Sequence, residues 1–208
     1  LEENKERPPT AKRRRGNEED SGQQVITVDY SLPRNQLLEQ LHTLEKSLED
    51  VNNVQVVIVQ VMKCIDHKCK FVSYAAKQCV ITALRFCNSA VKSTIANYAS
   101  LKTGIHDNNT LAVSMIHYLE ILKVCCKSNT IEIGMQFEWM IRDWIKHYII
   151  HCDDWLVVNS AIHCCRSVVT NVVNLEDATL QSKLVEQLIP VLPDLLHRAE
   201  IMYALSLT

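Results

Sequence analysis

The sequence predicts an all-α fold of about eight antiparallel helices, packed as a helical bundle or a short α-solenoid and preceded by a disordered tail. Beyond Gly22 the chain has only two glycines, Gly104 and Gly134, whereas β-hairpin turns depend on glycine and asparagine for positive φ. Apolar residues recur at spacings of three and four along the chain, as on a buried helix face. Short polar segments separate these runs, which implies antiparallel neighbouring helices.

Residues 1–30 are expected to form the disordered tail. Their six basic and seven acidic residues leave too little apolar surface to offset the entropy lost on ordering. The basic cluster Lys12, Arg13, Arg14 and Arg15 follows a proline pair. It resembles a monopartite nuclear-import signal, since a compact basic cluster on an extended chain fits the acidic groove of an import receptor. A solvated charge run and a phosphate-binding arm are the alternatives. We expect Val25–Val28, although β-prone, to be a disordered connector.

Residues 31–208 are expected to form a single helical domain. Because the sequence starts at Leu1 rather than methionine, we expect this domain to be cut from a longer chain. Ser31 is the expected N-cap of the first helix. Its apolar stripe has spacings of 4, 3, 4 and 3 and contains Leu37, Leu41, Leu44, Leu48 and Val51. The stripe covers only two heptads, whereas the pattern of a coiled coil persists for longer. We therefore favour docking of this helix on the body over a coiled coil.

The middle of the domain continues the helical pattern. Val54–Ile65 is rich in β-branched residues, but the chain offers no partner strand, so we predict a buried helix. Lys70–Tyr98 is one long helix or two helices broken near Asn88–Ser89. Thr103–Asn109 is the clearest loop, and a helix capped by Asn109 or Thr110 runs from there to about Cys126.

A helical hairpin follows, with helices near Ile131–His151 and Asp154–Leu175 and with Asp153 or Asp154 as the cap of the second. Its expected core contains all three tryptophans, Trp139, Trp144 and Trp155.

Two helices complete the prediction. One runs from Asp177 to Ile189, and the last begins at Pro193, since proline is favoured in the first helical turn. The residues expected to face inward on the last helix are Leu195, Leu196, Ala199, Met202 and Tyr203.

One segment of the hairpin carries a family resemblance. In Asp154–Ala161 an aspartate stands four residues before Val158, and an alanine stands three residues after it. These residues resemble the start of the second helix of a HEAT repeat, although Asn159 replaces the arginine usual in that family. The resemblance implies a HEAT/armadillo-like α-solenoid, in which paired helices stack and scaffold other macromolecules.

Histidines and cysteines gather around the hairpin turn. His147 and His151 are four residues apart on one helix face, Cys152 follows them, and His163 lies one helix later. Imidazole and thiolate ligands of this kind suit a tetrahedral zinc site. Neither the glutamate of HExxH nor a CxxC pair accompanies them, so packed cysteines and a partly exposed histidine edge are the favoured interpretation. We expect no metal and no cofactor.

Other motifs narrow the class of function. The chain contains no GxxxxGK[ST], GxGxxG or GxSxG, so no loop is expected to bring backbone amides to a phosphate or a nucleophile to a substrate. The longest uncharged runs have 12 residues, fewer than the roughly 18 needed to cross a bilayer. Catalysis and membrane insertion are therefore not predicted. Nine cysteines without framework-like spacing favour reduced thiols in the cytosol or nucleus.

Charge is distributed unevenly along the domain. Residues 54–105 contain seven bases and one acid, whereas residues 106–208 contain seven bases and 12 acids. Five of the bases recur every seven or eight residues and would form one stripe on a continuous helix: Lys63, Lys70, Lys77, Arg85 and Lys92. The stripe is a candidate surface for phosphates or for an acidic partner, or else a solvated helix face. We expect no exposed aromatic residues within it.

Together these observations predict a non-catalytic, nuclear scaffold or adaptor domain that binds another protein or a second copy of itself, with an import receptor on the tail. The alternative is a nucleic-acid-binding domain that uses the basic stripe without reading sequence.

Overall fold

The computed structural model describes residues 27–48, 54–104, 112–127, 141–174 and 176–206. Within these ranges the chain is helical and has no strand, which confirms the all-α prediction. The helices are α1 (Arg34–Ser47), α2 (Val54–Lys63), α3 (Lys70–Phe86), α4 (Ser89–Lys102), α5 (Ala112–Lys127), α6 (Ile141–Trp144, continued by a π-helical segment, Ile145–Ile150), α7 (Trp155–Asn174), α8 (Ala178–Leu188) and α9 (Leu192–Ser206).

These helices alternate between two rows. In one row α1 packs on α3, α3 on α5 and α5 on α7. In the other row α2 packs on α4, and the Tyr148 hydroxyl of the π-helical segment donates a hydrogen bond to the Thr103 carbonyl at the end of α4 (2.7 Å). Buried apolar residues of both rows form one core. The described helices thus make a stack of helical pairs.

Helix α1 docks on this stack through its leucines. Four leucines of the predicted stripe are at most 2% exposed: Leu37, Leu41, Leu44 and, at the C-cap of the helix, Leu48. Val51 lies outside the described residues. The expected N-cap is wrong, because Pro33 occupies that position and the Ser31 hydroxyl instead donates to Asp29 Oδ1 (2.6 Å). Ser31 therefore belongs to the turn before the helix.

The end of the predicted tail belongs to the folded body. Val28 is buried, and its N–H donates to Gln60 Oε1 (2.9 Å), while Gln40 Nε2 donates to the Thr27 carbonyl (2.8 Å). The expectation of disorder up to Tyr30 is therefore wrong for residues 27–30. Two glutamine amides supply the hydrogen bonds that a partner strand would have given this extended backbone.

A buried polar cluster closes the end of α2. The last carbonyls of a helix lack partners within it. Here the Ile65 carbonyl accepts hydrogen bonds from Ser73 Oγ (2.6 Å) and Ser114 Oγ (2.9 Å). Since the Ser73 proton is used, Ser73 Oγ accepts from His117 Nδ1 (2.8 Å). Burial, and then the charge of Lys77, lower the pKa of His117 to about 4, so the imidazole is neutral at pH 7. The cluster joins α2, α3 and α5.

The predicted break between the third and fourth helices is present. Helix α3 ends at Phe86, and α4 starts at Ser89 with Asn88 as its N-cap, which accepts a hydrogen bond from the Val91 N–H (3.0 Å). The two-helix alternative is therefore confirmed. The predicted caps at Asn109 and Thr110 lie outside the described residues.

The second helix of the hairpin, α7, is the last element of its row and packs on α5. Asp154 caps it, as predicted, by accepting from the Leu156 N–H (2.9 Å). Trp144 is buried, but Trp155 is 55% exposed, so the prediction of a tryptophan core is wrong for Trp155. Trp155 opens α7 beside Leu156, which is also exposed, and the buried side chains of the helix begin at Val157. Trp139 lies outside the described residues.

Helix α7 is also long and apolar enough to cross a membrane by length and composition alone. A buried core helix passes the same test. Seven of its side chains are buried in the protein core, and α7 packs against α5 and the π-helical segment. Its apolar character therefore has an explanation within the fold.

The last two helices start close to their predicted positions. Asp177 caps α8 by accepting from the Thr179 and Leu180 N–H groups (2.9 and 3.1 Å). Helix α9 begins one residue before Pro193 and rests on the π-helical segment.

The predicted inward face of α9 is mostly wrong. Leu195 is partly buried, but Ala199 is exposed, and Leu196 and Tyr203 are 64% and 68% exposed. Helix α9 packs mainly on the π-helical segment, where Arg198 Nη2 donates to the Cys152 carbonyl (2.9 Å), and this packing leaves Leu196 and Tyr203 exposed. The Met202 side chain lies outside the described part of the chain.

Candidate functional site

The import-like cluster, Lys12–Arg15, lies outside the described residues. Its assignment rests on the sequence.

The basic stripe is divided among three helices. Lys63 ends α2, Lys92 lies on α4, and α3 carries the other three residues, which are Lys70, Lys77 and Arg85. The chain turns between these helices, so the continuous helix that would align all five does not form. Lys77 is buried and paired with Glu120 (Nζ to Oε2, 2.6 Å). It binds α3 to α5, and its ammonium is already occupied.

Two exposed aromatic residues lie within the stripe, contrary to expectation. Phe71 and Tyr74 are 54% and 52% exposed on α3. Cations cover both rings: Arg34 Cζ lies 5.2 Å from the Phe71 ring centre, and Lys77 Nζ lies 4.5 Å from that of Tyr74. Phe71 precedes the buried Val72 on α3, but its own ring is largely exposed. This part of α3 therefore presents a cation–π patch.

The zinc candidates are not brought together. His147 is half-buried in the π-helical segment, His151 is exposed at its end, and His163 lies on the exposed side of α7. Cys152 Sγ contacts the Asp154 carbonyl (3.8 Å). Among the described residues, no three histidine, cysteine, aspartate or glutamate side chains are close enough to hold a metal ion.

Four cysteines from neighbouring positions of α5 and α7 are buried: Cys125, Cys126, Cys164 and Cys165. Burial raises the pKa of the Cys126 and Cys165 thiols to about 12 and the pKa of Cys164 well above its usual value. These thiols are protonated at neutral pH and unsuited to nucleophilic attack. They serve as small apolar side chains at the helix interface.

An apolar row follows the surface of the last two helices. Its members recur at spacings of 4, 3, 4, 3 and 4, and all are exposed: Val185, Ile189, Leu192, Leu196, Ala199 and Tyr203. The last four share one face of α9, as this spacing requires, and the first two continue the same spacing from the end of α8. We call this surface the α8–α9 row. Exposed apolar side chains that share one helix face, as the last four do, mark candidate sites of macromolecular contact.

A cationic cleft of about 630 Å³ lies between α5 and α7. Lys123 and Lys127 enter it from α5, and Arg166 enters it from α7. His163, Thr170, Asn171 and Asn174 line it as well. We call this surface the α5–α7 cleft. It contains three cations, and the described residues that line it include no carboxylate.

Sequence reasoning missed this cleft. The signal was a pair of lysines four residues apart on α5 and a set of polar residues on one face of α7. The two groups are about 40 positions apart in the chain, and the packing of α5 on α7 brings them together.

Comparison with known proteins gives no relative: no protein-family model, curated protein or solved structure matches the chain.

Proposed function

We propose that this chain is a non-catalytic, nuclear scaffold or adaptor domain that binds another protein, or a second copy of itself, through the α8–α9 row. The observation that carries the proposal is the exposure of the row. Leu192, Leu196 and Tyr203 are 45%, 64% and 68% exposed on one face of α9. Burying such a face in a partner groove is a common mode of helix recognition.

Features of the fold agree with a scaffold. The helices alternate between two rows around one core, as in stacked helical pairs that present extended surfaces to partners. The resemblance of Asp154–Ala161 to a HEAT repeat supports the same class, and so does the cap that Asp154 forms at the start of α7. The cysteines of the α5–α7 interface serve packing rather than chemistry.

The interaction is tested by a charge-introducing pair of substitutions. Leu192→Lys and Leu196→Lys, made together, place two cations at the centre of the row. The matched control is Val56→Lys with Leu101→Lys, since these side chains are 57% and 76% exposed on other helices. Both proteins should remain folded by circular dichroism, because exposed positions are replaced.

In quantitative co-purification from nuclear extract, the row variant should lose its major partners at least about tenfold, as for hot-spot residues, while the control retains them. Light scattering of the purified proteins tests self-association: a dimer that the row variant dissociates identifies a second copy as the partner. Equal recovery with both variants, together with an unchanged oligomeric state, would refute the proposal.

The nuclear assignment is supported by the basic cluster of the tail. Replacement of Lys12, Arg13, Arg14 and Arg15 by alanine should shift the intact protein to the cytoplasm in fluorescence images. Unchanged nuclear accumulation would contradict this part and leave the role of the row untouched.

The second candidate is sequence-independent nucleic-acid binding by the basic stripe. The cation–π patch favours it, because Phe71 is exposed between Arg34 and Lys70, and bases stack on such rings. Binding to single-stranded DNA should then weaken steeply with salt. Phe71→Ala should reduce it about five- to a hundredfold, since a stacked base is worth roughly 1–3 kcal/mol. Binding that is absent or insensitive to salt rejects this candidate.

A further inference from the structure

Within the described part of the chain, the cations of the α5–α7 cleft have no acidic partner. Helix α7 contains no aspartate or glutamate, and the one acid of α5, Glu120, is paired with Lys77 of α3. No ion pair in the described ranges includes Lys123, Lys127 or Arg166. Like charges repel when they converge without a counter-ion. The cleft is therefore expected to attract an anion from outside these helices.

The size and surroundings of the cleft favour a compact anion. Its volume of about 630 Å³ lies within the range of small-ligand sites. Three of the seven bases in residues 106–208 line it, and 12 acids occupy the rest of that half. A nucleic-acid strand needs a continuous basic path and aromatic platforms. None of the described residues that line the cleft is aromatic, and an excess of 12 acids over seven bases in this half of the sequence disfavours a long polyanion.

The donors of the cleft suit a phosphate. Arg166 offers a planar fork that matches two phosphate oxygens, and the lysines add point charges. The Thr170 hydroxyl and the Asn174 amide are exposed beside them on the same face of α7, and they can bond the remaining oxygens. A phosphate monoester carries nearly two charges at pH 7 and three acceptor oxygens. A carboxylate uses fewer of these donors.

We propose that the α5–α7 cleft binds a phosphate monoester, held by Lys123, Lys127 and Arg166 and carried either by a phosphorylated side chain of a protein partner or by a small phosphate ester. This activity is additional to the proposed scaffold function and independent of the α8–α9 row. If phosphate binding by the cleft is refuted, the proposed partner binding by the α8–α9 row is unaffected, and the reverse also holds.

The test uses the whole chain, labelled with ¹⁵N, in sulfate-free buffer. Titration with inorganic phosphate should shift the backbone amides of residues 123–127 and 163–174 in a saturable way. Two further probes are a fluorescent peptide with one phosphothreonine and neutral flanks, and its unphosphorylated twin. Tighter binding of the phosphopeptide than of inorganic phosphate identifies a partner segment as the source. Equal binding identifies a small phosphate ester, and both outcomes support the proposal.

A charge-matched pair of variants decides whether the cleft itself is responsible. Lys123→Gln with Arg166→Gln should weaken phosphate binding at least about tenfold, since charge-assisted hydrogen bonds are lost. Lys146→Gln with Lys183→Gln removes two exposed cations elsewhere in the same half and should weaken it about twofold or less, as for screened distant charges. Circular dichroism confirms that both variants are folded.

Three results overturn the proposal. The first is the absence of saturable binding, and the second is equal weakening in both double variants, which means general electrostatic attraction. The third is displacement of the phosphopeptide by a single-stranded oligothymidylate whose own binding depends on Lys123 and Arg166. That result identifies the cleft as part of a nucleic-acid surface.

Discussion

Helices α1 and α9 have nearly the same apolar pattern and opposite environments. In α1, leucines at spacings of 4, 3 and 4 are at most 2% exposed. In α9, Leu192 and Leu196 are 45% and 64% exposed at positions of the same spacing. Both segments are helical, as their periodicity predicts. The pattern identifies an apolar face but not what covers it.

The difference follows from the neighbours of each helix. Helix α1 lies against α3, whose buried face is lined by alanine and valine, so its leucines pack closely. Helix α9 rests on the π-helical segment, held by Leu195 and Arg198 on another side of the helix. The same sequence pattern therefore stabilises the fold in one place and presents a binding surface in the other.

The largest effect that tests this comparison is expected in α1. Leu41→Ala removes a fully buried side chain and should lower the free energy of unfolding by about 2–5 kcal/mol, through lost transfer energy and the cavity left behind. Urea denaturation measures it. A loss below about 0.5 kcal/mol, the size expected at an exposed position, would show that α1 is not docked.

An intermediate effect concerns the polar cluster that joins α2, α3 and α5. The pKa of His117 is lowered from 6.5 to about 4, so between these values the unfolded chain binds a proton that the folded chain does not. The free energy of unfolding should therefore be highest above pH 6.5 and should fall as the pH drops towards 4. Below pH 4, His117 should cause no further change. The Glu120 carboxylate, which raises the same pKa, limits the effect.

The control for this pH dependence is His117→Asn, which keeps a donor near Ser73 Oγ and cannot titrate. The urea midpoints of the two proteins are measured between pH 4 and 7. The difference between them should be smaller at pH 4 than at pH 7, because only the wild-type protein loses stability through His117. Parallel curves would mean that His117 is not buried in its neutral form.

The smallest effect is expected in α9. Leu196→Ala should change the free energy of unfolding by about 0.5 kcal/mol or less, as is usual for exposed positions, although it is chemically the same truncation as Leu41→Ala. Urea denaturation at a low protein concentration, at which the chain is monomeric, measures it. A loss of more than about 1 kcal/mol would show that the α8–α9 row is covered within the chain, and it would remove the observation on which the proposed function rests.

Much of the local structure was predictable from residue types. Asp154, Asn88 and Asp177 cap helices because short polar side chains accept hydrogen bonds from the free N–H groups of a first turn. The helical prediction for Val54–Ile65 is also confirmed. Two errors depended on tertiary structure: glutamine side chains order Val28, and the neighbours of α7 leave Trp155 exposed. The error at Ser31 was local, because its hydroxyl donates to Asp29.

The candidate sites were less predictable. The basic stripe assumed one continuous helix, and the turns between α2, α3 and α4 divide it. Lys77 was expected to meet a partner, yet it pairs with Glu120, which is 43 residues away. The α5–α7 cleft depends on contacts between distant segments, which no spacing in a single sequence reveals.

The sequence by itself determined the helical class and most helix positions, because hydrogen bonds, caps and apolar periodicity act within a few residues of each other. The tertiary structure decided which apolar faces are covered and which charges converge. Those outcomes depend on how helices pack, and packing joins residues that are far apart in the chain. The α8–α9 row and the α5–α7 cleft, to which the proposals assign partners, both belong to this second class.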